Sequence, residues 1–155
     1  MKFVIIRPPL VYGQDVKGNF ANLIKLIKKN IPLPLGRIKN QRSIIAIDNL
    51  VSLIINCIDN PKAANQLFLC SDGEDLSTSE LITKIAKSVG KKPLLLPTPT
   101  LALSIFAFIF GKKMLIERLK GSLQIDISST CKILNWKPVI SVDDALKKYF
   151  FNSEL

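Results

Sequence analysis

Apolar residues run through this chain in two rhythms. Val4, Ile5 and Ile6 stand together inside FVIIRPPLVYG, residues 3–13, and Pro8 and Pro9 close the run. An uninterrupted β-branched run of this kind predicts a strand buried in a parallel sheet, with neighbours on both sides and layers on both faces. Only two residues precede it, so the pattern leads us to expect a chain that begins after elements that should come first. Residues 8–17 read as a loop. The rhythm then becomes helical: Phe20, Leu23, Ile24 and Ile27 predict a helix over 18–29, ended by Asn30.

Residues 31–36, IPLPLG, are extended and punctuated by proline. A short apolar strand follows at 43–47, with Asp48 expected as the N-cap of a helix to about residue 58. Residues 67–70 read as a strand. Ser77 and Glu80 form a capping box that opens a helix to Val89. Short extended segments are expected at 92–96 and 123–125, and helices at 114–120 and 128–134. Ser141 caps the last helix, with Asp143 and Asp144 in its favourable first turn. The pattern is mixed α/β, one long buried strand followed by short ones.

Composition narrows the choices. A chain of 155 residues can bury a real core, and its 48% hydrophobic and 22% charged content is globular. The formal charge of +10 admits nucleic acid, an anionic membrane or a phosphate-bearing ligand. Lys25, Lys28 and Lys29, however, sit on a polar helix face, and neither an arginine-rich run nor an RNA-binding aromatic motif occurs, so nucleic acid is not favoured. Residues 93–111 carry no charge, but Pro97 and Pro99 leave about eleven helical residues, roughly half of a bilayer core. A buried or interfacial helix is expected there, and Lys112 and Lys113 admit shallow membrane association. Histidine is absent, which excludes Ser-His-Asp and Cys-His catalysis and the usual zinc-enzyme ligand sets. Cys57, Cys70 and Cys131 show no CxxC spacing and read as buried free thiols of a reducing cytoplasm, and no signal-peptide pattern opens the chain.

Residues 13–18, GQDVKG, have the glycine spacing of a Walker A loop, but Asn19 and Phe20 replace its Lys and Ser/Thr. No GxGxxG dinucleotide turn occurs. Taken in series, RPPLVYG, GNF at a helix start, IPLPLG, QRSIIAIDNL, FLCSDGEDLSTSEL, and DISSTCKILNWKP followed by SVDDALK carry a further signal. The series resembles the C-terminal half of the extended short-chain dehydrogenase/reductase family, in particular NAD-dependent nucleotide-sugar epimerases and dehydratases of the UDP-glucose 4-epimerase type.

That resemblance implies the C-terminal part of a Rossmann-like α/β fold. Residues 1–17 would close a cofactor domain, and 18–155 would form mainly a small mixed α/β substrate-binding domain with short returning elements. It implies a UDP-sugar ligand. Asn19 would stand at a helix N-terminus near the diphosphate, Arg42 and Arg118 would bind phosphate, and the backbone of Leu33, Pro34 and Leu35 would read the uracil. Read without the family, Asn19 is a helix cap and Arg42 and Arg118 are surface charges. Pro8 and Val11 match positions that border the nicotinamide of NAD. The family's Tyr-x-x-x-Lys pair has no match: Lys17 follows Tyr12 by five positions, no lysine follows Tyr149, and Ser129 replaces the lysine of the DxSK motif. The expectation is therefore a UDP-sugar-binding portion without catalytic residues, inactive alone, with NAD implied by the family but not held by this chain by itself. Its partner would be a separately encoded N-terminal half or a second copy. The alternatives are a non-catalytic remnant and a basic peripheral protein of membranes or nucleic acid.

Overall fold

The computed structural model describes residues 1–14, 18–99 and 120–151. Its strands are β1 (Val4–Arg7), β2 (Leu10–Tyr12), β3 (Arg42–Ala46), β4 (Gln66–Leu69) and β5 (Asp75–Leu76). Its helices are α1 (Asn19–Lys28), α2 (Ile47–Asp59), α3 (Thr78–Ser88), α4 (Ser128–Leu134) and α5 (Val142–Phe150). The architecture is mixed α/β, with a two-stranded and a three-stranded sheet among the described residues. β1 pairs in parallel with β4, while β2 runs parallel to β3 and β3 runs antiparallel to β5.

The opening apolar run is shorter and less buried than its pattern predicts. Pro8 and Pro9 cannot donate to a ladder, so the run divides there and its two halves join different sheets. The second half, β2, lies inside the segment expected to be a loop. Three residues are too few to show a period, and pairing with β3 makes them a strand. In β1, Val4 and Ile5 remain 37% and 43% exposed.

Local capping is also corrected in one place. The N-cap of α2 is Ala46, with no side-chain cap, and Asp48 lies in the first turn. Its carboxylate instead pairs with Lys148 of α5, a tertiary partner that outcompetes the local amides. Elsewhere local chemistry holds. Ser77 Oγ accepts from the Glu80 N–H while the Glu80 carboxylate accepts from the Ser77 N–H, and Ser141 caps α5. The strand expected at 92–96 is reduced to a single bridge between Leu33 and Leu95. The helix expected over 100–110, and that over 114–120 apart from Lys120, fall outside the described residues. Among the described residues no helix is long and apolar enough to cross a membrane.

β3 separates two cores. Its successive side chains point to opposite faces, so Ile44 enters one core and Ile45 the other. The first core packs Tyr12, Phe20, Ile24, Ile82, Leu146 and Phe150 from β2, α1, α3 and α5. The second packs Leu53, Cys57, Phe68, Cys70, Leu134 and Trp136, around α2, β4 and α4. All three cysteines are free; Cys57 and Cys70 are buried and Cys131 is half-buried.

Candidate functional site

Arg42 opens β3 and is half-buried. It shares its face of the strand with Ile44, hence with the first core, where Phe20 and Ile24 of α1 and the side chains of Leu33 and Leu35 also lie. The structure thus brings Arg42, α1 and the 33–35 segment to one side of β3. Leu33 is fixed by its neighbours: its N–H donates to the Leu94 carbonyl (2.8 Å) and its carbonyl accepts from the Leu96 N–H (2.8 Å). Ser79 Oγ donates to the Leu35 carbonyl at 2.7 Å, and Pro34 between them is exposed. The close approach of this segment to residue 96 requires Gly36, because a Cβ there would lie 3.0 Å from the Leu96 carbonyl oxygen.

Asn19 is the first residue of α1. Its side chain lies outside what the structure describes. The helix starts from Gly18 at φ 76° with no side-chain cap, so its first-turn amides point out of the helix start as an anion site requires. Val11 pairs across β2 with Ile45 and packs against the second core, on the opposite face from Arg42. Pro8 is exposed just beyond β1. Arg118 lies outside the described residues.

A buried polar cluster went unnoticed in the sequence. Asp72, in the turn after β4, accepts from the Tyr12 hydroxyl (2.8 Å), the Ala46 N–H (2.8 Å) and Asn49 Nδ2 (2.6 Å). Fully buried Asn49 also donates to the Ile140 carbonyl (2.9 Å), and its Oδ1 accepts from the N–H groups of Val139 (2.7 Å) and Ile140 (3.0 Å). Five chain segments meet here. Burial raises the Asp72 pKa, and the hydrogen bonds from Asn49, Ala46 and Tyr12 oppose that shift without cancelling it. Burial, followed by the Asp72 charge, pushes the Tyr12 hydroxyl far above the ordinary tyrosine range. Tyr149 is pushed up to about 12, chiefly by burial. Both phenols are therefore protonated at neutral pH, and Tyr12 is committed as a donor. The sequence offers for this cluster only the stretch SDGED, in which no local motif marks Asp72 as buried.

A second group surrounds Ser43. Its hydroxyl donates to Asp75 Oδ1 (2.5 Å) and accepts from the Ile125 N–H (2.8 Å), while Gln124 Nε2 donates to Asp75 Oδ2 (2.9 Å). These residues border an open cleft of about 500 Å³, also lined by Ser71, Asp126 and Ser128. Its wall carries two carboxylates, Asp75 and Asp126, which disfavour an anion there. Among the described residues no group of acidic, cysteine or histidine side chains could hold a metal ion.

Comparison with known proteins gives a consistent outcome. No protein-family model matches the chain. It is 49% identical over 149 residues to a UDP-glucose 4-epimerase of Vibrio cholerae, a match that covers 96% of this chain and 45% of that protein. It is 28% identical over 123 residues to an N-acetyl-alpha-D-glucosaminyl-diphospho-ditrans,octacis-undecaprenol 4-epimerase of Escherichia coli O157:H7, covering 75% of this chain and 37% of that one. The chain thus spans less than half the length of the curated relatives it matches. Among solved structures, a Bacillus cereus UDP-glucuronic acid 4-epimerase in complex with NAD superposes with a TM-score of 0.68 at 22% identity, over 95% of this chain and 42% of that one. A Thermotoga maritima UDP-glucose 4-epimerase with UDP-glucose gives the same TM-score at 18% identity, over 97% and 45%. At these identities the structural likeness establishes the fold.

Proposed function

We propose a function for this chain from the family to which it belongs, the NAD-dependent nucleotide-sugar epimerases of the extended short-chain dehydrogenase/reductase superfamily: it is the part that grips the UDP-sugar. The observation that carries the reading is the 49% identity to the Vibrio cholerae epimerase over nearly all of this chain. In this reading residues 1–17 close a cofactor unit and 18–155 form mainly the substrate side. Arg42 offers its planar fork of donors to two diphosphate oxygens. The amides at the start of α1, beside Asn19, add donors and a favourable dipole. Within the extended segment Leu33, Pro34 and Leu35, the Leu33 N–H and carbonyl are already bonded to Leu94 and Leu96, so it is the exposed Pro34 that would present its carbonyl to the uracil, and Arg118 supplies a second cation.

The family's NAD, which carries hydride from and back to the sugar, does not fit the residues present by themselves. Pro8 is exposed, Val11 turns into the second core, and Gly13, which follows β2, is accounted for by packing: a Cβ there would lie 2.6 Å from Ile47 Cγ2. Epimerisation also needs a tyrosinate that takes a hydroxyl proton. Tyr12, held protonated against Asp72, and Tyr149, with its pKa raised, are unsuited to that task. These features support a chain that binds and orients the substrate while proton and hydride transfer rely on residues it does not contain. The binding claim is tested by calorimetry with UDP-glucose, comparing wild type with Arg42→Ala. Loss of a charge-assisted phosphate contact should weaken binding roughly ten- to a hundredfold. Equal affinities would return Arg42 to a plain surface charge.

A further inference from the structure

Charge is unevenly spread along this chain. Residues 18–47 and 81–125 hold fourteen of the 22 Lys and Arg but one of the 12 Asp and Glu, so the fold gathers positive charge wherever these two stretches meet. They meet at α1 and α3, which pack together around the first core. Both helices end in the same way. Asn30 (φ 52°) and Gly90 (φ 67°) turn left-handed, the Ile31 N–H bonds the Leu26 carbonyl (3.0 Å), and the Lys91 N–H bonds the Ala86 carbonyl (2.8 Å). The segments that follow run parallel where Leu33 meets Leu95, so the two C-termini open onto one end of the molecule. Lys25, Lys29, Lys87, Lys91 and Lys92 are exposed there. Glu74 and Asp143 pair instead with Lys84, one turn before Lys87.

Aliphatic side chains stand among these lysines. Leu95 packs against the first core, which turns its neighbours Leu94 and Leu96 outward, and the helix closure brings Ile31 back to Leu26. Leu26, Ile31, Leu94 and Leu96 are 36–50% exposed. In sequence the apolar run continues without a charge through residues 100–111 to Lys112 and Lys113. Helix dipoles account for lysines in the last turns of α1 and α3, but not for Lys91, Lys92 or the bare leucines. Lysine is a hydrated point charge suited to a layer of phosphate headgroups, and aliphatic side chains between lysines suit the acyl boundary beneath. A nucleic acid would be met by stacking aromatic rings, and residues 21–36 and 84–99 contain none. We propose that this end of the molecule docks on an anionic lipid bilayer, with its lysines on the headgroups and Leu26, Ile31, Leu94 and Leu96 entering the boundary. The surface is independent of the sugar-nucleotide reading, which draws on Arg42 and on the opposite end of α1.

The test is flotation of the purified chain with vesicles, which leaves any aggregate at the bottom of the gradient. One set of vesicles is phosphatidylglycerol and phosphatidylcholine in equal parts; the other is phosphatidylcholine alone. The chain should float with the anionic set, not with the neutral one, and bind more weakly as salt rises from about 50 to about 500 mM. Lys91→Ala with Lys92→Ala should weaken binding about twentyfold. Leu94→Asn with Leu96→Asn should weaken it about tenfold. Because all four side chains are exposed, both pairs should leave the melting midpoint within about 2 °C. Lys132→Ala with Lys137→Ala removes the same charge from exposed positions on the side of the second core and should cost no more than about twofold. No flotation with anionic vesicles, equal flotation with neutral ones, or undiminished binding by the leucine pair overturns the proposal. So does an equal loss in the two lysine pairs, which would reduce the effect to net charge. A short DNA duplex bound in place of the vesicles would assign the lysines to nucleic acid and overturn it as well.

Discussion

The two cores flanking β3 are built from the same kinds of residue and finish differently. Around the first, α1, α3 and α5 close over β2 and β3, and an aromatic cluster of Tyr12, Phe20, Tyr149 and Phe150 fills the middle, with ring centroids about 6 Å apart. Around the second, α2 and α4 cover one face of β1 and β4, and the other face meets water with Ile5, Leu67 and Leu69 upon it. The difference is one of supply. The apolar pattern of a segment states how much cover it is built to receive; the neighbours present decide how much it gets.

Paired substitutions across the two cores give the largest expected contrast. Ile24→Ala, at a fully buried position of the first core, should destabilise the chain by about 2–5 kcal/mol in denaturant unfolding. Ile55→Ala on the open side, with 54% exposure, should change it by less than about 0.5 kcal/mol. Equal losses would mean that the open side is covered in solution.

The Asp72 cluster ties the two sides together, because it joins Tyr12 of the first core to the start of α2, which packs on the second. Asp72→Ala leaves three donors without their acceptor and should cost about 2–3 kcal/mol. Its pH dependence has a definite sign. The folded pKa of Asp72 is raised, so its titration contributes stability fully below the unfolded value of about 4 that is lost as pH rises through the folded value. Asp72→Asn, which does not titrate, should therefore lose more relative to wild type at pH 3.5 than at pH 7. Melting both proteins at the two pH values checks this, and a larger deficit at pH 7 would contradict it.

The smallest effect belongs to a helix end on the closed side. Ser77→Ala removes one partner of the capping box and should cost about 1 kcal/mol. A negligible change would show that Thr78, whose N–H bonds Asn40 Oδ1 at 2.8 Å, already fixes the start of α3.

What could be read in the sequence follows from the range of the forces involved. α1, α3, α4 and α5 were legible because their apolar stripes and caps lie within a few residues: Ser77 with Glu80 and Ser141 with Asp144 are chemistry at three-residue spacing. β2 was not, because Leu10–Tyr12 becomes a strand only by meeting β3 more than thirty residues later. Asp48 misled for the same reason, its partner Lys148 being a hundred positions away. At the candidate site, the sequence singled out Arg42 and the 33–35 segment, and the structure sets both beside the first core. Asp72 and Asn49 escaped because buried polar clusters have no period and no local motif. The exposure of α2 escaped as well: Ile47, Val51, Ile54, Ile55 and Ile58 look in sequence like any buried face.

The central claim of the proposed function is that these residues hold the sugar nucleotide and that proton and hydride transfer rely on residues outside them, in the part of the Vibrio cholerae relative that they do not match. Turnover of UDP-glucose with added NAD tests it most directly, in the isolated chain and in a chimera with the complementary Vibrio cholerae portion. The account predicts no product above a no-protein control for the isolated chain. It predicts epimerised UDP-sugar from the chimera, with Arg42→Ala raising KM roughly ten- to a hundredfold. Product from the purified chain alone, or a folded chimera that binds UDP-glucose and turns over none of it, would contradict the account.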